Sequence, residues 1–216
     1  TEAKYMREVM ESIMPKLAGL MGESSVKEAW KQFVKQVAQR VIMLLLIVYS
    51  GSVATEFSKG TLINLLAKGL SRSAVILSEY LMSGLVWALG YWLCFGVTYA
   101  YALYYWPQAV YSNLLLSAAG PFVFGCFMLA VLCLGGVATG SSAGSILIAA
   151  VVFAVMMVAN ILPNLAAFNP VTASSGNTAM LSGNIPEGDV QAMLLSLGYT
   201  ARAIAASITI FKRKSL

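Results

Sequence analysis

Histidine is absent from this 216-residue chain, and charge of either sign is scarce: Lys, Arg, Asp and Glu together make up 11% of it. Soluble domains carry roughly a quarter charged residues because their surface must be wetted. From Tyr80 to Pro186 there is no Asp, Glu, Lys, Arg or His at all. A water-facing globule could not be covered by such a chain. Without histidine, conventional zinc and haem sites lose their usual ligand. The three cysteines, Cys94, Cys126 and Cys133, all lie in apolar stretches with neither a paired framework nor metal-ligand spacing. They read as small hydrophobes in helix interfaces.

Other absences narrow the function. No Gly-rich turn closed by Lys and Ser/Thr marks a nucleotide site, so any ATP hydrolysis must come from another chain. No His base and no paired intramembrane aspartates are present, and no catalytic residue is assigned. No basic start, apolar run and cleavage site forms a signal peptide. The net charge of +5 does not make a nucleic-acid face. Apart from Arg202, the basic residues are interleaved with glutamates before residue 41 or clustered beside apolar stretches, as topology signals are.

What remains is apolar. Hydrophobic residues are 59% of the chain, lipid is the solvent they suit, and the length allows about five or six crossings. The predicted fold is all-α: a polytopic helical membrane protein with five visible transmembrane helices. These span about 34–55, 73–101, 113–137, 145–162 and 190–211 within a transmembrane domain of 34–211. Residues 1–34 read as an amphipathic helical segment, with Val9, Ile13, Leu17 and Leu20 at helical spacing. Residues 56–72 are too short and too charged to span. Leu62, Leu65 and Leu66 repeat there at helical spacing, which predicts a short interfacial helix. Tyr104, Tyr105, Trp106 and Pro107 make an aromatic interface turn. The small-residue tract Gly135–Gly144 suits close helix packing or a tight turn. Residues 164–189 form a polar loop with room for a short helix, and 212–216 a basic tail.

Lys and Arg set the orientation. Lys59, Lys68 and Arg72 on one side, and Lys212, Arg213 and Lys214 four spans later, put both segments in the cytoplasm. The aromatic turn and the loop with Glu187 and Asp189 are then extracellular. That places residues 1–34 outside as well, so a sixth, N-terminal span is expected before them. Two charges stand in or near spans, where they are costly and often functional. Glu79 is two turns into its crossing, positioned to snorkel or to pair with Arg72. Arg202 is mid-way along the last crossing, open to structural pairing or to a water- or substrate-facing role.

Ala54-Thr-Glu56-Phe-Ser-Lys59-Gly60-Thr61-Leu62-Ile-Asn-Leu65-Leu66, followed by Leu70-Ser71-Arg72-Ser73, resembles the cytoplasmic segment of type-2 ABC exporter permeases. There a glutamate closing a span precedes Gly-Thr, Leu-Leu and Ser-Arg. The tail Ile210-Phe211-Lys212-Arg213-Lys214-Ser215-Leu216 is similar to that family's ending. The span pattern fits from about residue 34 onward, and the sixth span would complete the family's six. Lys68-Gly69 departs from the proline that the family commonly places before Leu-Ser-Arg.

The resemblance implies a permease subunit of a prokaryotic plasma-membrane exporter, multi-pass with a cytoplasmic C-terminus. It would hold no cofactor itself, since ATP and magnesium would sit on a partner P-loop ATPase, and it would pair with a second permease subunit, identical or related. Glu56, Lys59, Gly60, Thr61, Leu62, Leu65, Leu66 and Arg72 would form the coupling contact. Gly60-Thr61 suits a sharp reversal with a hydroxyl cap, the leucines an apolar docking face, and Arg72 an anchor at phosphates or a carboxylate. Two other readings stay open: a secondary transporter or channel subunit that needs no ATPase, and a non-transporting scaffold or sensor.

Overall fold

The computed structural model describes residues 71–105, 113–162, 168–175 and 187–213, together with Trp30, Gln32, Phe33, Tyr49, Met180 and Gly183. The expected first crossing (apart from Tyr49), the amphipathic segment (apart from Trp30, Gln32 and Phe33), residues 56–70, the Trp106 turn and the tail beyond Arg213 lie outside the described residues. Every regular element of two or more turns among the described residues is an α-helix: α1 (Arg72–Tyr105), α2 (Leu114–Thr139), α3 (Ser142–Ala159), α4 (Pro170–Ser175) and α5 (Glu187–Arg213). Four of them, α1, α2, α3 and α5, are long and apolar enough to cross a membrane.

Ser71 starts α1. Its hydroxyl accepts from the Ala74 N–H at 3.2 Å, satisfying one donor that the first turn leaves unpaired. The 34 residues rise about 51 Å at 1.5 Å each, well beyond a hydrocarbon core of about 30 Å. Its buried side is one stripe, Ile76, Ser83, Trp87, Tyr91 and Phe95, at the spacing that keeps side chains on one helix face. Leu81, Met82, Leu85, Val86, Leu89 and Leu93 point outward.

Helix α2 is the centre. It packs against α1, α3, α4 and α5, and its residues from Gly120 to Val137 are mostly buried. Three polar ring atoms of α1 fasten the two helices in antiparallel register. The Tyr80 hydroxyl donates to the Cys126 carbonyl at 3.3 Å, the Trp87 indole N–H to Phe122 at 3.2 Å, and the Tyr91 hydroxyl to Ala118. This rail straddles Pro121, whose missing N–H removes a helical partner from the preceding turn. Gly125 provides the space: a Cβ there would collide with the Trp87 ring.

The small-residue tract makes both the packing and the turn. Gly140 closes α2 with φ of 68° and returns its N–H to the Gly136 carbonyl, a left-handed cap that favours glycine. Ser141 follows at once as the N-cap of α3, accepting from the Gly144 N–H at 3.1 Å. Across this hairpin the Ser145 hydroxyl donates to the Leu132 carbonyl at 2.7 Å. A Cβ on Gly135 would lie 3.0 Å from the Ser145 Cα, so the two helix backbones approach closely here, as small residues permit in membranes.

Helix α3 stops at Ala159, earlier than the expected crossing to residue 162: the next amides tighten to the carbonyls three residues back, Ile161 to Val158 and Leu162 to Ala159, and the following loop bonds to this end. Asn169 donates from its amide nitrogen to the Met156 carbonyl at 2.6 Å, and Thr172 donates to the Asn160 side chain at 2.9 Å. Those bonds dock α4 on the bundle, with Val171 buried in the aromatic core beside α2.

Helix α5 lies along α2. Its inner face carries Ala192, Ser196, Thr200, Ser207 and Phe211, all buried. The hydroxyls satisfy themselves on their own helix: Ser196 to Ala192, Thr200 to Ser196 and Ser207 to Ala203. Small, internally satisfied side chains let α5 approach α2 with none of these three hydroxyls left unpaired.

Candidate functional site

The helix directions sort the charges. Antiparallel pairing of α1 with α2 and the tight α2–α3 hairpin bring the start of α1 and the Gly140–Ser141 turn to one end. The contact between Arg72 and the end of α5 adds Lys212 and Arg213 to that end. Glu187 and Asp189 open α5 at the other end. One end is therefore basic and the other acidic.

At the basic end Arg72 is a clamp between α1 and α5. Its Nη1 donates to the Phe211 carbonyl at 3.0 Å and to the Lys212 carbonyl at 3.2 Å, and its guanidinium stands 5.8 Å from the centroid of the Phe211 ring. The last carbonyls of a helix lack internal partners and carry the negative end of its dipole, which makes them a natural seat for a guanidinium. Phe211 is completely buried with Val75, Ile76, Cys133 and Val137, so the clamp is set on packed side chains of three helices. The sequence suggested phosphates or a carboxylate for Arg72; the structure gives it helix-terminal carbonyls and an aromatic face.

Glu79 lies two turns further along α1. No ion pair joins it to Arg72 or to any other described residue. It borders a small cavity of about 10 Å³ together with Tyr80 and Ser83 of α1, Leu129, Leu132 and Cys133 of α2, and Tyr49. The Glu79 carboxylate is within electrostatic reach of the Cys133 thiol, and Ser207 of α5 stands against the same thiol. Two helices and Tyr49 thus border one carboxylate, and α5 reaches the Cys133 thiol behind it. Sequence reasoning had singled out Glu79 but not Ser83, Cys133 or Tyr49. Only Ser83, four residues after Glu79 and thus on its helix face, carried a signal in the sequence.

Arg202 is on the opposite side of α5 from the Ser196–Thr200–Ser207 face, exposed among Leu194, Leu197, Gly198, Ala201 and Ala205. It does not meet Glu79 or Arg72. Glu56, Lys59, Gly60, Thr61, Leu62, Leu65 and Leu66 lie outside the described residues, so of the eight residues in that segment's set the structure places Arg72. At the acidic end Asp189 is buried, and its Oδ2 has no hydrogen-bond partner. Its position in the first turn of α5 sets it in the positive end of the helix dipole, which favours a carboxylate there. No group of three or more His, Cys, Asp or Glu that could hold a metal ion occurs among the described residues.

No family model, curated protein or solved structure matches the chain.

Proposed function

We propose that this chain is the membrane-spanning permease subunit of an ATP-driven exporter, coupled through residues 56–72 to a separate cytoplasmic P-loop ATPase. The observation that carries the reading is the Arg72 clamp. The two stretches on which the resemblance to type-2 ABC permeases rests, 54–73 and 210–216, are far apart in sequence, yet the last arginine of the first touches Phe211 and Lys212 of the second. A push on 56–72 reaches the start of α1 directly and the end of α5 through the same guanidinium. Two spans would then move with one contact, which is what a coupling segment has to achieve.

The basic end of the bundle faces the cytoplasm of a prokaryotic cell in this reading, in line with the positive-inside rule. The 34–55 crossing belongs to the same domain in this reading, and a second permease, identical or related, completes the pathway. The charge-free interior, rich in aromatic and Met side chains, suits a lipid-like, amphipathic or peptide substrate.

The reading is tested in the assembled complex. Glu56→Ala and Gly60→Leu should leave assembly and basal ATP hydrolysis in place and abolish the stimulation of hydrolysis by transport. Unchanged coupling with normal assembly removes the role assigned to this segment. A tagged chain that purifies without any P-loop ATPase turns the reading toward an ATPase-independent channel, secondary transporter or scaffold.

A further inference from the structure

We infer that the outer face of α5 around Arg202 is the docking surface for a transmembrane helix of a different chain that carries a carboxylate near its middle. Depth is the first argument. Arg202 lies ten residues before Lys212 and thirteen after Asp189, about 15 Å and about 20 Å along the helix axis. That is near the middle of a hydrocarbon core of about 30 Å, too far in for the snorkelling open to long side chains near helix ends. The side chain is exposed, and among the described residues nothing bonds to it. A charge at such a depth faces a protein partner or a water-filled cavity rather than lipid.

Shape is the second argument. Gly198, Ala201, Ala205 and Thr209 fall on the same face of α5 as Arg202, and a Cβ on Gly198 would meet no atom within 4 Å. Small side chains therefore leave an open furrow beside one cation. The outer face of α3, with Leu147, Val151, Val155 and Val158, is bulky and uncharged by contrast. Small residues let another helix backbone come close in a membrane, as Gly135 does inside the bundle. A water-filled pathway asks for polar side chains along its wall, and between Gln191 and Thr209 this face offers only Arg202.

Charge selects the partner. One guanidinium is matched by one carboxylate, through paired charge-assisted bonds. This chain does not offer that carboxylate. Of its nine acidic residues, Glu79 is the one set inside a span-length helix beyond its first turn, and it stands against Leu129, Leu132 and Cys133 of α2. The others lie at or before Glu56 or in the first turn of α5. A second copy meeting this face on a two-fold axis along the membrane normal would bring two Arg202 side chains together at equal depth, and like charge opposes that contact. The inference rests on α5 alone; within the exporter reading it makes the second permease a related chain rather than an identical one.

The test has three arms. The full-length chain, labelled with a donor dye in phosphatidylcholine vesicles, is mixed with a synthetic Leu/Ala transmembrane helix that carries an acceptor dye and one central Glu, Gln or Lys. Energy transfer should half-saturate at about three- to tenfold lower density for the Glu helix than for the Gln helix, as a charge-assisted bond in a membrane implies, and the Lys helix should be weakest. Arg202 is exposed, so Arg202→Leu leaves the packing of the bundle in place; it should abolish the preference for Glu, and Arg202→Lys should keep it. In membranes of the cell that makes the chain, a photo-crosslinker at Ala205 should join a transmembrane stretch of a different protein with Asp or Glu within one turn of the attachment point, and Arg202→Leu should remove most of that product. A membrane-impermeant thiol reagent should label Arg202→Cys no more than wild type. Equal association of the three helices, a Glu preference that survives in Arg202→Leu, crosslinks only to lipid or to a second copy of this chain, or labelling of Arg202→Cys would each overturn the assignment, the last in favour of an aqueous pathway.

Discussion

Helices α2 and α3 are neighbours in sequence, similarly apolar and wholly uncharged, yet one is the core of the bundle and the other its rim. Of α3 only Ser145 and Ala149 are buried, whereas α2 is enclosed along most of its length. Hydropathy tells which solvent a helix prefers and is silent on what covers it. What distinguishes α2 is where neighbours can reach its backbone: Gly125 under the Trp87 ring, Gly135 against Ser145, and the carbonyls at Ala118, Phe122 and Cys126 under the aromatic rail of α1. The outer face of α3 offers Leu147, Val151, Val155 and Val158, large side chains that keep another backbone away. In lipid, where burying apolar surface brings little gain between helices, close approach and hydrogen bonds decide the packing.

The largest expected effect comes from breaking the rim. Val151 is 52% exposed near the middle of α3. If α3 faces hydrocarbon, Val151→Asp should cost about 2.5–3.5 kcal/mol in membrane insertion, read as a shifted inserted fraction in a glycosylation-mapped insertion assay. The same change on a water-facing helix would be close to neutral. A neutral result would mean that the outer face of α3 meets water or a polar partner.

Breaking the core comes next. Gly125→Val puts two methyl groups and a Cβ where the Trp87 ring lies, and over-packing a close-packed core costs about 1–3 kcal/mol. Ala154→Val adds similar bulk to the exposed side of α3 and should stay within about 0.5 kcal/mol of wild type. Unfolding in mixed detergent micelles measures both. Equal effects would show that Gly125 is not the seat that holds α1 on α2.

This contrast also marks what the sequence disclosed. The run without charge from Tyr80 to Pro186 announced the solvent, and helical spacing with the Gly135–Gly144 tract placed α2, the turn and α3 to within a few residues. The central position of α2 was not legible from hydropathy or charge, in which α2 and α3 are alike; its glycines and Pro121 were visible in the sequence, but not which neighbours they would admit. Arg72 and Phe211 stood out singly. Their contact bridges 139 positions and exists only once α1 and α5 run antiparallel. Glu79 drew notice as an intramembrane charge, while Cys133 read as a small hydrophobe. Its place beside that carboxylate depends on the rotation of α2 against α1, which helical spacing does not determine.

The smallest effect sharpens the comparison most. Tyr91 donates its hydroxyl to the Ala118 carbonyl in the core, whereas Tyr104 on the same helix is 80% exposed. Removing the oxygen from each leaves ring volume and hydropathy nearly constant, so only the hydrogen bond differs. The Ala118 carbonyl has two lone pairs, and the second can keep its helical N–H, so Tyr91→Phe leaves no orphaned acceptor. The loss should therefore be that of the bond alone, about 0.6–1 kcal/mol, while Tyr104→Phe should stay within the error of the same unfolding experiment. If the two variants match, the aromatic rail is a by-product of packing and the glycine seats alone make α2 the core. If Tyr91→Phe loses stability and Tyr104→Phe does not, polar ring atoms and small residues share that task, and a search for central helices in similarly uncharged bundles should score tyrosine and tryptophan facing a proline-containing neighbour.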